Sequence, residues 1–297
     1  MDNAQILLPN YHLTEKLHEG TRTLVYRGRW VGRVSASDPA QERSVVVKFL
    51  KSEYPSFLEL VQFRNQYAIA QHLADVPGIV KPLALEPYQN SYALVMEDGG
   101  YVSLNQWIER CLGESVVTPQ NPAQDVTDLG PGDFLPLPMD SVLPIAIQLA
   151  DILHHLHHCR VIHKDIKPAN ILIHPDTCDV KLADFSISTL LPKEQQAIQN
   201  PNVLEGTLAY IAPEQTGRMN RGIDYRADFY ALGVTLYELL TGQLPFTASD
   251  PMEVVHCHIA QPPPPMAAKL GAAVGRDGAT PSQEIRPAIP LMLEQIV

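Results

Sequence analysis

Two hydrophobic periodicities divide this chain, and their segregation restricts the fold more than any single residue does. In the first hundred residues the short β-branched and aromatic runs dominate. Leu24-Val25-Tyr26, the run from Ser44 to Leu50 and the run from Tyr92 to Met96 are each bounded by polar segments, so each predicts a strand. One helix interrupts them, from Phe57 to Leu73, where apolar residues recur at Leu60/Val61 and Tyr67/Ala68. In the second half the period lengthens to that of a helix. Ile145, Leu149, Ile152, Leu153 and Leu156 share one face of a helix predicted from Ser141 to Cys159. Asp140 or Ser141 can cap it, which keeps Pro144 near the first turn. Phe229, Leu232, Leu236 and Leu239 do the same between Tyr225 and Leu240, with Gly242 as the stop. Strands at one end and helices at the other imply an α+β fold of two lobes, joined near Glu97 to Gly100.

Composition removes several alternatives. A chain of 297 residues with 45% hydrophobic and 19% charged residues is neither disordered, coiled-coil nor collagen-like, and has room for one large or two small domains. Its formal net charge of −11 makes it a poor general nucleic-acid binder, because phosphate neutralisation needs clustered Lys and Arg. No run approaches the ~18 consecutive apolar residues of a membrane span, and the first residues carry no secretory pattern. The four cysteines form no C-x-x-C pair, so no disulfide framework or structural zinc is expected. The reducing cytoplasm is the simplest compartment. Proline is the outlier, at 26 residues, and concentrates in two places. Residues 115–140 read as an inserted loop and residues 261–287 as a second. For Pro262 to Pro265 a stiff loop is preferred over a polyproline recognition motif, because nothing flanking it specifies a partner.

The densest chemical signal is His163-Lys164-Asp165-Ile166-Lys167-Pro168-Ala169-Asn170. It is followed by Asp184-Phe185-Ser186 and Ala212-Pro213-Glu214, and preceded by Lys48 in Val45-Val46-Val47-Lys48. In that order the four segments resemble the signature set of the eukaryotic-type (Hanks-type) protein kinases, over almost the whole chain. The resemblance implies a bilobal kinase fold: an N-lobe over 9–97, with a small antiparallel sheet and one helix, and a larger, mainly helical C-lobe over 98–297. It also implies a phosphotransferase of class EC 2.7.11 that uses ATP and Mg²⁺. Phosphoryl transfer spreads negative charge over oxygens, so such a site works mainly by positioning and electrostatics.

Residue by residue, the resemblance makes Asp165 the acceptor or orienter of the substrate hydroxyl. Lys167 becomes the cation beside the transferred group, and Lys48 the holder of the α- and β-phosphates. Asn170 and Asp184 supply oxygen ligands for Mg²⁺. Thr207, after Gly206, bonds to the catalytic aspartate and lysine, which with Lys167 favours a Ser/Thr acceptor on a protein substrate. Gly20 and Val25 belong to the phosphate roof. Met96 is the gatekeeper, and Glu97 to Gly99 form the adenine hinge. Asp228 braces the catalytic-loop backbone.

Several positions depart from the family pattern. Of three usual roof glycines only Gly20 remains, His18 and Thr23 standing at the others. Gln66 occupies the place of the glutamate that pairs with Lys48; its oxygen still accepts a hydrogen bond, but without charge assistance, so the lysine clamp is weakened and not abolished. Lys164 replaces an arginine that would grip a phosphorylated segment bidentately. The stretch from Leu190 to Gly206 contains no Ser, Thr or Tyr, so activation is expected without phosphorylation there. The histidines at 154, 155, 157 and 158 are read as packing or solvated groups before a metal site, and His163 as a brace and not a base.

The wording from Glu205 to Phe246, and at Val255-His256-Cys257-His258-Ile259, is similar to a bacterial subgroup. In its members the kinase domain precedes ATPase-like, sensor and histidine-kinase regions of one polypeptide. The expected function is therefore a Ser/Thr protein kinase in bacterial signalling. The alternatives are a nucleotide-binding pseudokinase, motivated by Gln66 and the roof, and a small-molecule phosphotransferase, disfavoured by the Ala212 to Glu214 platform. The family arginine that pairs with Glu214 has no counterpart before Val297, so the C-lobe is expected to be cut short.

Overall fold

The computed structural model describes residues 8–32, 41–115, 136–191, 207–219 and 221–269. The chain forms two compact units, one of residues up to Tyr101 with Asp184–Ser186, the other of Val102–Ala183 and the chain from Ile187 onward.

The first unit is built on a five-stranded antiparallel sheet. Its strands are β1 (Tyr11–Glu19), β2 (Thr23–Gly32), β3 (Gln41–Leu50), β4 (Pro82–Tyr88) and β5 (Ser91–Glu97), in the order β1-β2-β3-β5-β4. Strand β3 shows why the sequence chose this arrangement. Val45, Val47 and Phe49 alternate onto one buried face and pack with Ala93, Val95 and Leu8. Lys48 therefore projects to the opposite face, paired across the sheet with Val25 and Leu94.

Helix α1 (Phe57–His72) opens with a reciprocal capping box. The Ser56 N–H donates to Glu59 Oε2 at 2.9 Å, and the Glu59 N–H donates to Ser56 Oγ at 3.3 Å. Its buried residues are Phe63, Gln66, Ile69 and Ala70, so helical spacing sets Gln66 in the middle of the inward face.

In the second unit, α3 (Met139–His158) buries the predicted stripe of Ile145, Leu149, Ile152, Leu153 and Leu156, and Val142 with it. Its start differs from expectation. Neither Asp140 nor Ser141 caps it; Pro138 holds the N-cap position with φ −64° and ψ 147° and no side-chain cap. The carbonyl of Pro138 accepts from the N–H of Ser141 at 2.9 Å and of Val142 at 3.1 Å, so the helix begins earlier and Pro144 lies inside it.

Residues 136–140 are accordingly part of the fold and not of an inserted loop: Leu137 is buried, and its N–H donates to Leu239 O at 3.0 Å. Residues 116–135 of the expected insertion, and 270–287 of the second loop, lie outside the described residues. The beginning of that second loop is anchored, with Met266 buried and the Tyr237 hydroxyl donating to Pro264 O at 2.9 Å.

Helix α2 (Leu104–Ser115) follows the two-residue strand β6 (Val102–Ser103), which pairs with β8 (Ile171–Ile173), itself paired with β9 (Val180–Leu182). Strand β7 (Val161–Ile162) pairs with β10 (Thr189–Leu190). These short ladders bracket the loop from His163 to Asn170. Helix α4 (Arg226–Thr241) ends at Gly242, which takes φ 72°, the left-handed cap the sequence implied. It is buried nearly all round and not on one face: Phe229, expected inside, is exposed, while Asp228, Thr235 and Glu238 are buried. Helix α5 (Pro251–Ala260) completes the unit, capped by the Asp250 carboxylate on the Met252 N–H at 2.8 Å.

Candidate active site

The cluster around Asp165 lies wholly within the second unit. Asp165 Oδ2 accepts from Lys167 Nζ at 2.7 Å and from Asn170 Nδ2 at 2.8 Å. Its Oδ1 accepts from both the N–H and the hydroxyl of Thr207, each at 3.1 Å. Lys167 Nζ also donates to Thr207 Oγ1, so the hydroxyl serves as donor and acceptor at once. Asn170 spends its NH₂ on the Asp165 carbonyl as well, at 2.8 Å, which leaves its amide oxygen as the atom able to ligate a cation. The structure thus brings together Asp165, Lys167, Asn170 and Thr207.

The loop owes its shape to distant groups. Asp228, fully buried at the start of α4, accepts the His163 N–H on Oδ2 at 2.9 Å and the Lys164 N–H on Oδ1 at 2.8 Å. The same Oδ2 meets His157 Nε2 at 2.9 Å. Lys164 adopts φ 70°, a left-handed conformation unusual without glycine. Its carbonyl accepts from Gln215 Nε2 at 2.9 Å, while Gln215 Oε1 takes the Ala212 N–H at 3.1 Å. One amide side chain therefore ties the Ala212 to Glu214 segment to the loop that carries Asp165.

His163 is a brace in this geometry. Its Nδ1 accepts the Asp165 N–H at 3.2 Å, so Nε2 carries the proton and donates to Ala183 O at 3.0 Å. Ser188, buried, donates its hydroxyl to His163 O at 3.0 Å and is thus occupied internally. Among the described residues no group of three His, Cys, Asp or Glu side chains is placed to hold a metal ion. His155 faces the Asp151 carbonyl at 2.8 Å.

The first unit gathers Lys48, Gln66 and Asp184. Lys48, buried, donates from Nζ to Gln66 Oε1 at 3.0 Å and to Asp184 Oδ2 at 2.9 Å. The clamp expected in weakened form is present as a hydrogen bond to a neutral oxygen. Asp184 takes φ 64°, and the Asn65 amide on α1 donates to Ser186 O at 3.2 Å, which fastens this segment to the helix. Val25 and Met96 share the sheet face of Lys48 through the pairs Val25–Lys48 and Val46–Met96. The Gly20 N–H closes the β1–β2 turn onto Thr23 O at 2.9 Å, and His18 is exposed.

After Met96 the chain turns on Asp98 as an anchor. Asp98 Oδ2 accepts from Arg27 Nε at 2.9 Å and Ser44 Oγ at 2.8 Å, and Oδ1 accepts the Gly100 N–H at 3.0 Å. Burial alone would raise the Asp98 carboxyl, but the Gly100 and Ser44 hydrogen bonds and the Arg27 charge together hold it below the usual carboxylate range. Glu97 pairs with Arg43 at 3.1 Å, and its N–H donates to Lys81 O at 3.1 Å. At Gly99 a Cβ would come within 2.8 Å of the Tyr101 ring, which excludes larger residues unless the ring moves. Asp98 had one sequence signal, an acidic residue just before paired glycines. The Gln215 and His157 contacts had none, because they depend on chain separations of 51 and 71 residues.

Residues 11–274 match the family model of the protein kinase domain. The chain belongs to that family. It is 26% identical over 98% of its length to a probable serine/threonine-protein kinase of Clostridium acetobutylicum, of which it spans 36%. It is 29% identical over 86% of its length to the serine/threonine-protein kinase Pkn1 of Myxococcus xanthus, spanning 32% of that protein. Against the serine/threonine-protein kinase PrkC of Bacillus subtilis it is 31% identical over 75%, spanning 30%. The chain therefore covers about a third of the length of these relatives. Protein kinases use ATP and Mg²⁺, and this kinase domain has the matching donors. Lys48 is a cation suited to phosphate, and Asn170 and Asp184 each offer the hard oxygen that Mg²⁺ takes. No helix among the described residues is long and apolar enough to cross a membrane.

Proposed function

We propose that the chain is an ATP-dependent protein serine/threonine kinase of class EC 2.7.11, acting in bacterial signal transduction. The observation that carries this reading is the Asp165 carboxylate, engaged on both oxygens by Lys167, Asn170 and Thr207. Asp165 accepts the hydrogen bond of a substrate Ser or Thr hydroxyl. It takes that proton as the new O–P bond to the γ-phosphorus forms and the bond to the β-phosphate oxygen breaks, releasing ADP. Lys167 offsets the charge that accumulates on the transferred group, and Thr207 fixes the Lys167 ammonium beside Asp165. Lys48 holds the α- and β-phosphates, with Gly20 and Val25 above them and Met96, Glu97 and Gly99 against the adenine. Asn170 and Asp184 are the residues that would hold Mg²⁺, which when bound would neutralise charge on the phosphates.

The N-lobe spans 9–97 and the C-lobe 98–297 in this reading. The resemblance to multi-domain bacterial kinases supports a cytoplasmic setting, with ATPase-like, sensor and histidine-kinase domains on the same polypeptide as partners. The pseudokinase alternative rests on Gln66. Against it stand the intact Asp165 cluster and the hydrogen bond that Gln66 still accepts from Lys48.

The test is transfer of radiolabelled phosphate from ATP to a protein acceptor. Asp165→Asn should lower the rate by about 100-fold or more, the contribution typical of a positioned acid or base. Transfer that persists in Asp165→Asn removes the assignment. A native chain that binds ATP and transfers nothing establishes the pseudokinase instead.

A further inference from the structure

The Lys48 ammonium is buried against one carboxylate, Asp184, and one neutral oxygen, Gln66 Oε1. An ammonium has only donors, so the Gln66 NH₂ cannot face it and the amide orientation is fixed. Gln66 is itself 4% exposed and set between Phe63 and Ile69 on the inward face of α1, so water cannot take its place. The formal charges of Lys48, Asp184 and Gln66 cancel. A glutamate at position 66 would leave the same three groups with an excess negative charge, in surroundings that screen it poorly.

We propose that Gln66 loosens the dependence of nucleotide binding on metal, so that the chain accepts ATP with less help from Mg²⁺ than it would with a carboxylate there. The inference rests on reading Lys48 as the phosphate-binding lysine. A metal-free triphosphate meets only one cation in this cluster. With Glu at 66 that cation is shared between two carboxylates, and the approaching phosphates are repelled by both. With Gln66 a single carboxylate is balanced, and the third ammonium hydrogen remains for a phosphate oxygen. When Mg²⁺ accompanies the nucleotide, its charge compensates a second carboxylate, so the two side chains differ far less. Gln66 acts here as a positioning and charge-setting residue; it works through Lys48.

The experiment is calorimetric titration of ATP into the native chain and into Gln66→Glu and Gln66→Met, each in excess Mg²⁺ and in EDTA. The quantity read is the ratio of the metal-free to the Mg²⁺ dissociation constant. The native ratio should be smaller than that of Gln66→Glu by about tenfold or more, given a full unit of buried charge. Gln66→Met, neutral and similar in length, should keep the native ratio. Equal ratios in the native chain and Gln66→Glu overturn the inference while leaving ATP binding through Lys48 intact. So does a Gln66→Met ratio displaced as far as that of Gln66→Glu, because packing and not charge would then be responsible. Absence of ATP binding to the native chain in both conditions defeats the reading of Lys48, and the inference with it.

Discussion

Asp228→Ala tests how the loop from His163 to Asn170 is held. The carboxylate is fully buried and receives the backbone N–H groups of His163 and Lys164, both in residues that are themselves buried. Alanine deprives those two donors of the carboxylate acceptor at a fully buried position. A stranded buried donor costs about 1–3 kcal/mol. The third donor, His157 Nε2, sits on a side chain 14% exposed and can turn to solvent, so it adds little. Removing a buried charge returns part of its desolvation cost. The expected loss is therefore about 3–4 kcal/mol, against a total stability of about 5–15 kcal/mol for a domain. Asp228→Asn keeps one acceptor but turns an NH₂ toward the other amide, so it recovers less than half of that loss. Urea unfolding gives the stability, and hydrogen exchange at the His163 and Lys164 amides gives the local effect. A loss below about 1 kcal/mol with an unchanged m-value, together with full protection of both amides, would refute the reasoning.

Two further expectations concern stability. Ser56→Ala dismantles the capping box of α1 and should cost about 1 kcal/mol in urea unfolding, while Ser56→Asn should retain most of it. Burial pushes His258 below its ordinary value of 6.5, with backbone contacts at Ala209 and Leu208 opposing the shift. Between its folded value and 6.5 the unfolded chain binds more protons, so this group's contribution is present above 6.5 and lost as pH falls. His258→Phe, beside Phe246 and Tyr230, should narrow the gap between urea midpoints measured above and below that value; an unchanged gap counts against the assignment.

The sequence was most readable where burial is one-sided. Strand β3 alternates, α1 repeats at helical spacing, and Gly242 stops α4 where a left-handed residue is required. Strand β1 gave no signal because it lies at the sheet edge with mostly exposed side chains, so no apolar run marks it. Helix α4 departs from its predicted face for the opposite reason: a helix surrounded by its neighbours buries polar residues too, and Phe229 is left outside. At α3, Asp140 and Ser141 are good capping types, but the fixed φ of Pro138 had already set the entry. The motif residues of the site were legible because their order along the chain is itself informative. The contacts that hold them were not, since Gln215 meeting Lys164 or Arg27 meeting Asp98 depends on where separate segments come together.

Lys164 shows what that dependence entails. Its left-handed backbone is held from one side by Asp228 and from the other by Gln215, 64 and 51 residues further along. A left-handed non-glycine residue costs about 1–2 kcal/mol, so without those two partners the loop has no reason to keep this path. During synthesis, a nascent chain that has not yet emerged past Asp228 carries every residue from His163 to Asn170 but lacks the clamp that shapes them. The shape of the loop that carries Asp165 is therefore acquired late, when α4 arrives and not when Asp165 does.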